Sequence, residues 1–215
     1  MGFPFGADED AGFIIAWLEL NHFNGIEILH KLLKSINQQY NGVIEFENLN
    51  TSIDFKNSTV LMKGSGLVDY LQSISNQKEK VLANIKNCPD AILFLPLLYK
   101  ISKKNNYIEL NFSDSINKVS KYKIKNKEIY FESLANQNLL INNEVRITIN
   151  HNHNNLKDDS KQKIITQKII QNNLAHSILA KENLWKEISQ IANKTFVPES
   201  EESRNKGAGG GDAND

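Results

Sequence analysis

The residues best suited to bind an anion lie at the two ends of the sequence. Near the C-terminus, Arg204 is followed by the glycine-rich segment 207–211, whose backbone N–H groups can surround a carboxylate or phosphate. Near the N-terminus, segment 2–12 combines glycines with Asp8 and Asp10, which can act as general acids or bases or order the C-terminal segment. The predicted ligand-binding residues are Gly6, Asp8, Asp10, Glu201, Ser203, Arg204, Gly207 and Gly209.

Arg204 is informative because of the composition of the chain. The sequence contains 29 Asn and 23 Lys but only two Arg, a bias typical of an AT-rich genome. An arginine that persists against this bias indicates a planar, bidentate contact with a carboxylate or phosphate, which lysine cannot make. Taken alone, the glycine-rich segment fits a disordered acidic tail better, because it matches neither of the two common glycine-rich nucleotide-binding patterns.

The charges are segregated along the chain. The net charge is zero, with 25 basic and 25 acidic residues. Segment 13–198 carries +6, however, and each of the two ends carries −3. The neutral total argues against a duplex nucleic-acid binder, and no apolar run approaches the length of a membrane span. The single cysteine and the lack of a signal-peptide pattern predict a soluble cytoplasmic protein.

Three other groups of residues are weaker candidates. His151 and His153 lie in an Asn-rich stretch without the third and fourth ligands of a metal site, so we predict no metal. Cys88 lies beside an apolar run and is better interpreted as a buried hydrophobic residue than as a nucleophile. The lysines of segment 118–127 predict a solvated face of a hairpin.

The elements that would position these residues follow from hydrophobic periodicity. Helical spacing predicts a helix that begins with Asp8 or Asp10 as its N-cap, and an alternating pattern predicts strands through the middle of the chain. We predict an α+β fold: a mostly antiparallel sheet with helices at both chain ends packed against it. The predicted domain is 1–198, followed by an acidic Gly-rich tail, 199–215. Further predicted helices are 25–36, 66–75, 91–103 and 182–194, the predicted strands are 43–47, 51–55, 59–62, 81–85, 107–112, 121–125, 128–131 and 145–149, and 150–160 is a predicted loop.

Two terminal motifs also carry a resemblance. The first is the segment Gly2–Gly12, which reads G-F-P-F-G-A-D-E-D-A-G and follows the pattern G-x-x-aromatic-G-x-A-acid-acid-A-G except for Asp8 in place of its first alanine. The second is S-R-x-x-G-A-G at Ser203–Gly209, preceded by Trp185 and Pro198. With them the chain resembles a proteobacterial family of about 220 residues known only as a domain of unknown function. Members usually carry a helix before the first motif, so we expect a truncated start here. The resemblance implies no activity, substrate or cofactor.

The sequence is compatible with three functions. The first is a cytosolic enzyme, or an accessory subunit of one, acting on a small anionic metabolite that Arg204 would clamp. The second is a non-catalytic interaction protein whose tail orders on a partner or a neighbouring subunit. The third is structural, with Arg204 pairing with the acidic cluster of Asp8 and Asp10. The sequence identifies neither the cofactor nor the oligomeric state, and it does not decide whether the chain is an enzyme.

Overall fold

The computed structural model of the chain describes residues 3, 6–35, 42–44, 46–48, 52–103, 106–113, 119–131, 141–151, 163–176 and 180–193. The chain divides into two units, residues 1–179 and residues 180–215. The helices are α1 (Ala7–Leu20), α2 (Gly25–Ser35), α3 (Val60–Ser75), α4 (Phe94–Ile101), α5 (Gln167–Leu174) and α6 (Glu182–Asn193), and a short 3-10 helix, Ala91–Leu93, precedes α4. The strands are β1 (Phe46–Asn48), β2 (Ser52–Asp54), β3 (Lys80–Pro89), β4 (Asn106–Ser113), β5 (Val119–Lys125), β6 (Glu128–Phe131), β7 (Ile141–His151) and β8 (Lys163–Ile165).

The strands of the first unit form one mixed sheet. Their order is β1-β2-β3-β7-β4-β5-β6-β8. Strands β2 and β3 pair in parallel, and every other pair is antiparallel. The prediction of a mostly antiparallel sheet is therefore confirmed. Strand β7 lies between β3 and β4, although it is separated from both in the sequence.

The two faces of the sheet differ because side chains alternate along each strand. Ile108 and Leu110 of β4, Ile147 of β7 and Ile85 of β3 point into the core and are buried. They pack with α1, α3 and α4 in one apolar cluster. The opposite face of the same strands carries polar and charged side chains, and we call it the open face.

Helices α1 and α2 are joined by the short connection 21–24 and pack together as a helical hairpin. Trp17 of α1 stacks on Phe23 at 6.2 Å between ring centroids and lies 5.4 Å from Tyr99 of α4. Gly25 begins α2 at a close approach to α1, where a Cβ atom would lie 3.0 Å from the backbone nitrogen of Glu19. These contacts fix α1 and α2 to each other and to α4, and we call the packed helices α1, α2, α3 and α4 the helical layer.

The predicted strand 59–62 is wrong, because this segment begins α3. The Oγ1 atom of Thr59 accepts a hydrogen bond of 3.2 Å from the N–H of Leu61, so Thr59 is the N-cap of the helix. The predicted strand 43–47 is displaced to β1, Phe46–Asn48. Segment 161–179, which the sequence leaves unassigned, contains β8 and α5.

The helix predicted at 182–194 is confirmed as α6, Glu182–Asn193, in the second unit. The packing of helices at both chain ends against the sheet stays a prediction, as does the division into 1–198 and 199–215.

Candidate functional site

The N-terminal candidates lie at the start of α1. Gly6 precedes the helix with φ of 90°, a conformation that strains other residues, so the backbone explains this glycine without a ligand. The N–H of Gly6 donates a 3.0 Å hydrogen bond to Oδ1 of Asp8. The N-cap is therefore Gly6, and the prediction of Asp8 or Asp10 as N-cap is wrong. Oδ1 of Asp10 lies 3.8 Å from Nζ of Lys100 on α4.

The C-terminal candidates are Glu201, Ser203, Arg204, Gly207 and Gly209, and all five lie outside the described residues. The binding roles of the eight predicted residues stay a prediction.

A second set of polar residues crosses the open face of the sheet. The register pairs Ser52 with Asn84, Asn84 with Arg146, Arg146 with Asn111, and Asn111 with Lys121. Direct cross-strand neighbours lie on the same face, so the five form a row across β2, β3, β7, β4 and β5. We call it the donor row. It spans about 19 Å at the usual strand spacing, and none of its members is acidic.

Arg146 lies at the centre of the donor row. Its side chain is exposed, and its Nε donates a hydrogen bond of 3.1 Å to Oδ1 of Asn84. The guanidinium makes no other hydrogen bond to the residues that the structure describes. Its terminal N–H groups are therefore available for the two parallel hydrogen bonds that a carboxylate, sulfonate or phosphate accepts.

Two polar atoms of the donor row are buried without a partner. Oγ of Ser52 and Oδ1 of Asn111 have no hydrogen-bond partner in the part of the chain that the structure describes. Buried polar atoms are nearly always hydrogen-bonded in proteins. The hydroxyl of Ser52 can donate or accept, whereas Oδ1 of Asn111 only accepts, so the missing partner of Asn111 is a donor such as water and not an anion.

A charged corner adjoins the donor row on β4. The hydroxyl of Tyr107 donates a short hydrogen bond to Oε1 of Glu109, and Nζ of Lys121 lies 3.4 Å from the same oxygen. Burial acts to raise the pKa of Glu109, but the hydrogen bond from Tyr107 and the charge of Lys121 outweigh it and lower that pKa. Burial and the bond to Glu109 raise the pKa of Tyr107. Glu109 is therefore ionised at neutral pH and accepts hydrogen bonds rather than donating a proton.

A different buried acid lies in the helical layer. Asp90 follows β3 with φ of 61°, is 6% exposed, and its Oδ2 has no hydrogen-bond partner among the described residues. Burial raises its pKa to about 7, although the charge of Lys31 lowers it in part. Burial, together with the charge of Asp90, also raises the pKa of Cys88, which is fully buried. The prediction of a buried, unreactive Cys88 fits this environment.

Arg146 is not among the site residues that the sequence predicts. The signal was present, since Arg146 is the other arginine of a lysine-rich chain and lies in an alternating strand. What the sequence lacks is the strand order that places Asn84 and Asn111 beside it, because β3, β4 and β7 are far apart along the chain.

A metal centre has no support in the described part of the chain. No group of three or more His, Cys, Asp and Glu side chains there could hold a metal ion. Across the described ranges, no helix has both the length and the apolar character needed to cross a bilayer.

The fold is similar to that of a solved enzyme structure. Sulfolactate dehydrogenase from Methanocaldococcus jannaschii aligns with a TM-score of 0.57 and 9% identity, covering 90% of this chain and 92% of that chain. At this identity the similarity shows the fold alone. Malate dehydrogenase from Entamoeba histolytica aligns with a TM-score of 0.38 and 11% identity over 66% of this chain and 43% of that chain.

The comparison with curated proteins finds no match. The model of the family described as "Protein of unknown function (DUF3726)" matches residues 1–66, and the resemblance to a domain of unknown function is confirmed over that range.

Proposed function

We propose that the protein is an enzyme, or an accessory subunit of one, that acts on a small anionic metabolite bound over Arg146. The observation that carries this proposal is the guanidinium of Arg146, exposed at the centre of the donor row with one hydrogen bond to Asn84. A planar cation whose terminal N–H groups are free binds a carboxylate, sulfonate or phosphate through two bonds.

The neighbourhood of Arg146 supports an anion rather than a structural ion pair. Its cross-strand neighbours Asn84 and Asn111 are amides. The nearest acids along the same strand face, Glu144 on β7 and Glu109 on β4, make no ion pair with Arg146 in the described structure, and Glu109 contacts Lys121 instead.

The fold similarity supports the same class of ligand. Sulfolactate, the compound named for the Methanocaldococcus jannaschii enzyme, is a small organic anion. The similarity supplies no reaction for this chain, and the proposal assigns none.

The experiment is an NMR titration of the arginine side chains. The chain has two arginines, so a ¹⁵N-labelled sample gives two arginine Nε–H signals, and Arg146→Gln identifies which belongs to Arg146. We expect small carboxylates, sulfonates and phosphates to shift the Arg146 signal in a saturable way. A ligand panel that shifts neither signal would overturn the proposal.

The same titration separates the two candidate sites. If the Arg204 signal alone responds, the anion binds at Arg204, one of the residues that the sequence predicts. Arg204→Ala then abolishes the ligand-induced thermal stabilisation, whereas Arg146→Gln leaves it unchanged.

A second candidate function is a non-catalytic interaction protein. Helix α6 favours it, because Trp185 is 56% exposed and Ile191 is 41% exposed, and no residue of this helix is buried. In this case Trp185→Ser would abolish association with a partner or a second copy, measured by light scattering, and would leave anion binding intact.

A further inference from the structure

We infer that the ligand of the donor row carries two anionic groups, one bound by Arg146 and the other by Lys121. This inference rests on the proposed function of Arg146 as an anion site and specifies the class of ligand that the site accepts.

The direction in which a ligand extends from Arg146 is set by its neighbours. On one side, Asn84 already accepts the hydrogen bond from Nε. Along β7, the next residue on the same face towards the start of the strand is the acidic Glu144, which repels an anion. On the other side the row continues to Asn111 of β4 and then to Lys121 of β5. Glu109 also lies on this side, but Lys121 and Lys123 flank it, so the charge there is net positive and a second anionic group is accommodated towards Lys121.

The spacing of the two cations suits a small molecule. Arg146 and Lys121 are separated by two strand spacings, about 10 Å between their Cα atoms. Both side chains are long enough to converge on a ligand between them. A small dianion whose two charged groups are linked by a few carbon atoms fits between the two cationic groups.

Lys121 and Asn111 both have hydrogen-bond donors that such a ligand can use. The side chain of Lys121 is 46% exposed, and its contact with Glu109 at 3.4 Å uses one of the three ammonium N–H groups. Asn111 lies between the two cations and is partly exposed, and the N–H groups of its side-chain amide are the donors that an anionic ligand can use. A ligand that bridges the cations lies directly over this amide.

The test compares matched ligands that differ by one charge. Butyrate, pentanoate and hexanoate are titrated beside succinate, glutarate and adipate, and propanesulfonate beside 1,3-propanedisulfonate, following the Arg146 Nε–H signal. One additional charge-assisted hydrogen bond is worth about a tenfold change in Kd. We expect at least one dianion to bind about tenfold more tightly than the monoanion of the same length.

Three variants locate the second charge. Lys121→Gln should reduce the Kd advantage of the dianion to nearly nothing and leave the monoanion unchanged. Arg146→Gln lacks the Nε–H signal, so its binding is followed by ligand-induced thermal stabilisation, and it should weaken both ligands. Lys125→Gln is the matched control, because it removes one charge from the same strand and the same face outside the donor row.

Each outcome has a distinct meaning. A monoanion and dianion that bind equally, or a Lys121→Gln variant that affects both equally or resembles Lys125→Gln, would overturn the dianion assignment and leave the Arg146 site standing. Binding that does not depend on Arg146 would overturn both.

Discussion

Nε of Arg146 donates a hydrogen bond of 3.1 Å to Oδ1 of Asn84, its direct neighbour on β3. The bond fixes the plane of the guanidinium, and the terminal N–H groups have no hydrogen-bond partner among the described residues. Asn84 is thus a positioning residue for the proposed anion site.

The first prediction concerns Asn84. Asn84→Ala frees the Arg146 side chain, and we expect the Kd of a bound anion to rise about threefold to tenfold, equivalent to roughly 1 kcal/mol. Asn84→Asp should raise it further, because a carboxylate beside the guanidinium competes with the ligand. An NMR titration gives both values. If Asn84→Ala leaves Kd and the Arg146 Nε–H shift unchanged, the positioning role is wrong.

The second prediction concerns the buried carboxyl of Asp90. Its pKa is raised from 3.8 to about 7, so the folded state retains a proton that the unfolded state releases. The free energy of unfolding should therefore fall as pH rises from about 4 to about 7 and then level off. Each pKa unit is worth about 1.4 kcal/mol, which gives a loss of up to about 4 kcal/mol.

Asp90→Asn tests this directly, since asparagine also tolerates the left-handed backbone at this position. We expect the variant to lose this pH dependence and to be about 1–4 kcal/mol more stable than the unchanged chain at pH 8 by urea unfolding. Asp69→Asn, which removes an exposed carboxylate from α3, controls for the loss of one charge. An unchanged pH profile in Asp90→Asn would contradict the prediction.

The third prediction concerns the end of α4. Nζ of Lys127 donates hydrogen bonds of 2.9 Å and 3.1 Å to the carbonyl oxygens of Tyr99 and Lys100, and it lies 5.0 Å from the ring centroid of Tyr99. A cation at this position stabilises the last turn of a helix. Lys127→Met keeps the aliphatic stem, and we expect it to cost about 1–2 kcal/mol of unfolding free energy. Lys125→Met is the control and should change stability by less than about 0.5 kcal/mol.

The fourth prediction concerns the close contact of α1 and α2. A Cβ atom at Gly25 would overlap the carbonyl oxygen of Ile15, whereas a Cβ atom at Gly12 would meet nothing within 4 Å. Gly25→Ala should therefore lower the free energy of unfolding by about 1–3 kcal/mol. Gly12→Ala should raise it by about 0.5–1 kcal/mol, because alanine favours the helix. Equal urea midpoints for the two variants would contradict the close packing of the hairpin.

The fifth prediction concerns Cys88. Its thiol is fully buried, and burial raises its pKa, so the reactive thiolate is scarce and inaccessible. We expect a thiol reagent such as dithiobis(nitrobenzoate) to react at least about a hundredfold more slowly with the folded chain than with the chain in urea. Rapid modification under native conditions would indicate that the packing around this end of β3 opens readily.

Local patterns in the sequence predict most of the elements. The alternation of Ile108, Leu110 and Phe112 predicts β4, and the lysine-rich hairpin around 126–127 is confirmed as β5 and β6. A strand is predicted at 59–62 because Val60, Leu61 and Met62 favour strands by propensity. The prediction is wrong because the N-cap at Thr59 and packing against the other helices stabilise a helix there.

The donor row could not be predicted, because it depends on long-range strand order. Arg146 and Asn84 are 62 residues apart, and no local pattern indicates that β7 pairs with β3. The raised pKa of Asp90 also depends on burial by distant helices. Residue type alone identified Arg204 and the terminal glycines, and their binding role stays a prediction.

The position of β7 between β3 and β4 has a consequence for synthesis of the chain. Strand β3 has one neighbour, β2, until residues 141–151 leave the ribosome, so the sheet stays in two parts for much of translation. The range that matches the family model, 1–66, ends before β3 and β4, the two strands that flank β7. A fragment cut at residue 66 would expose Ile53 and Phe55 to water and should not fold alone.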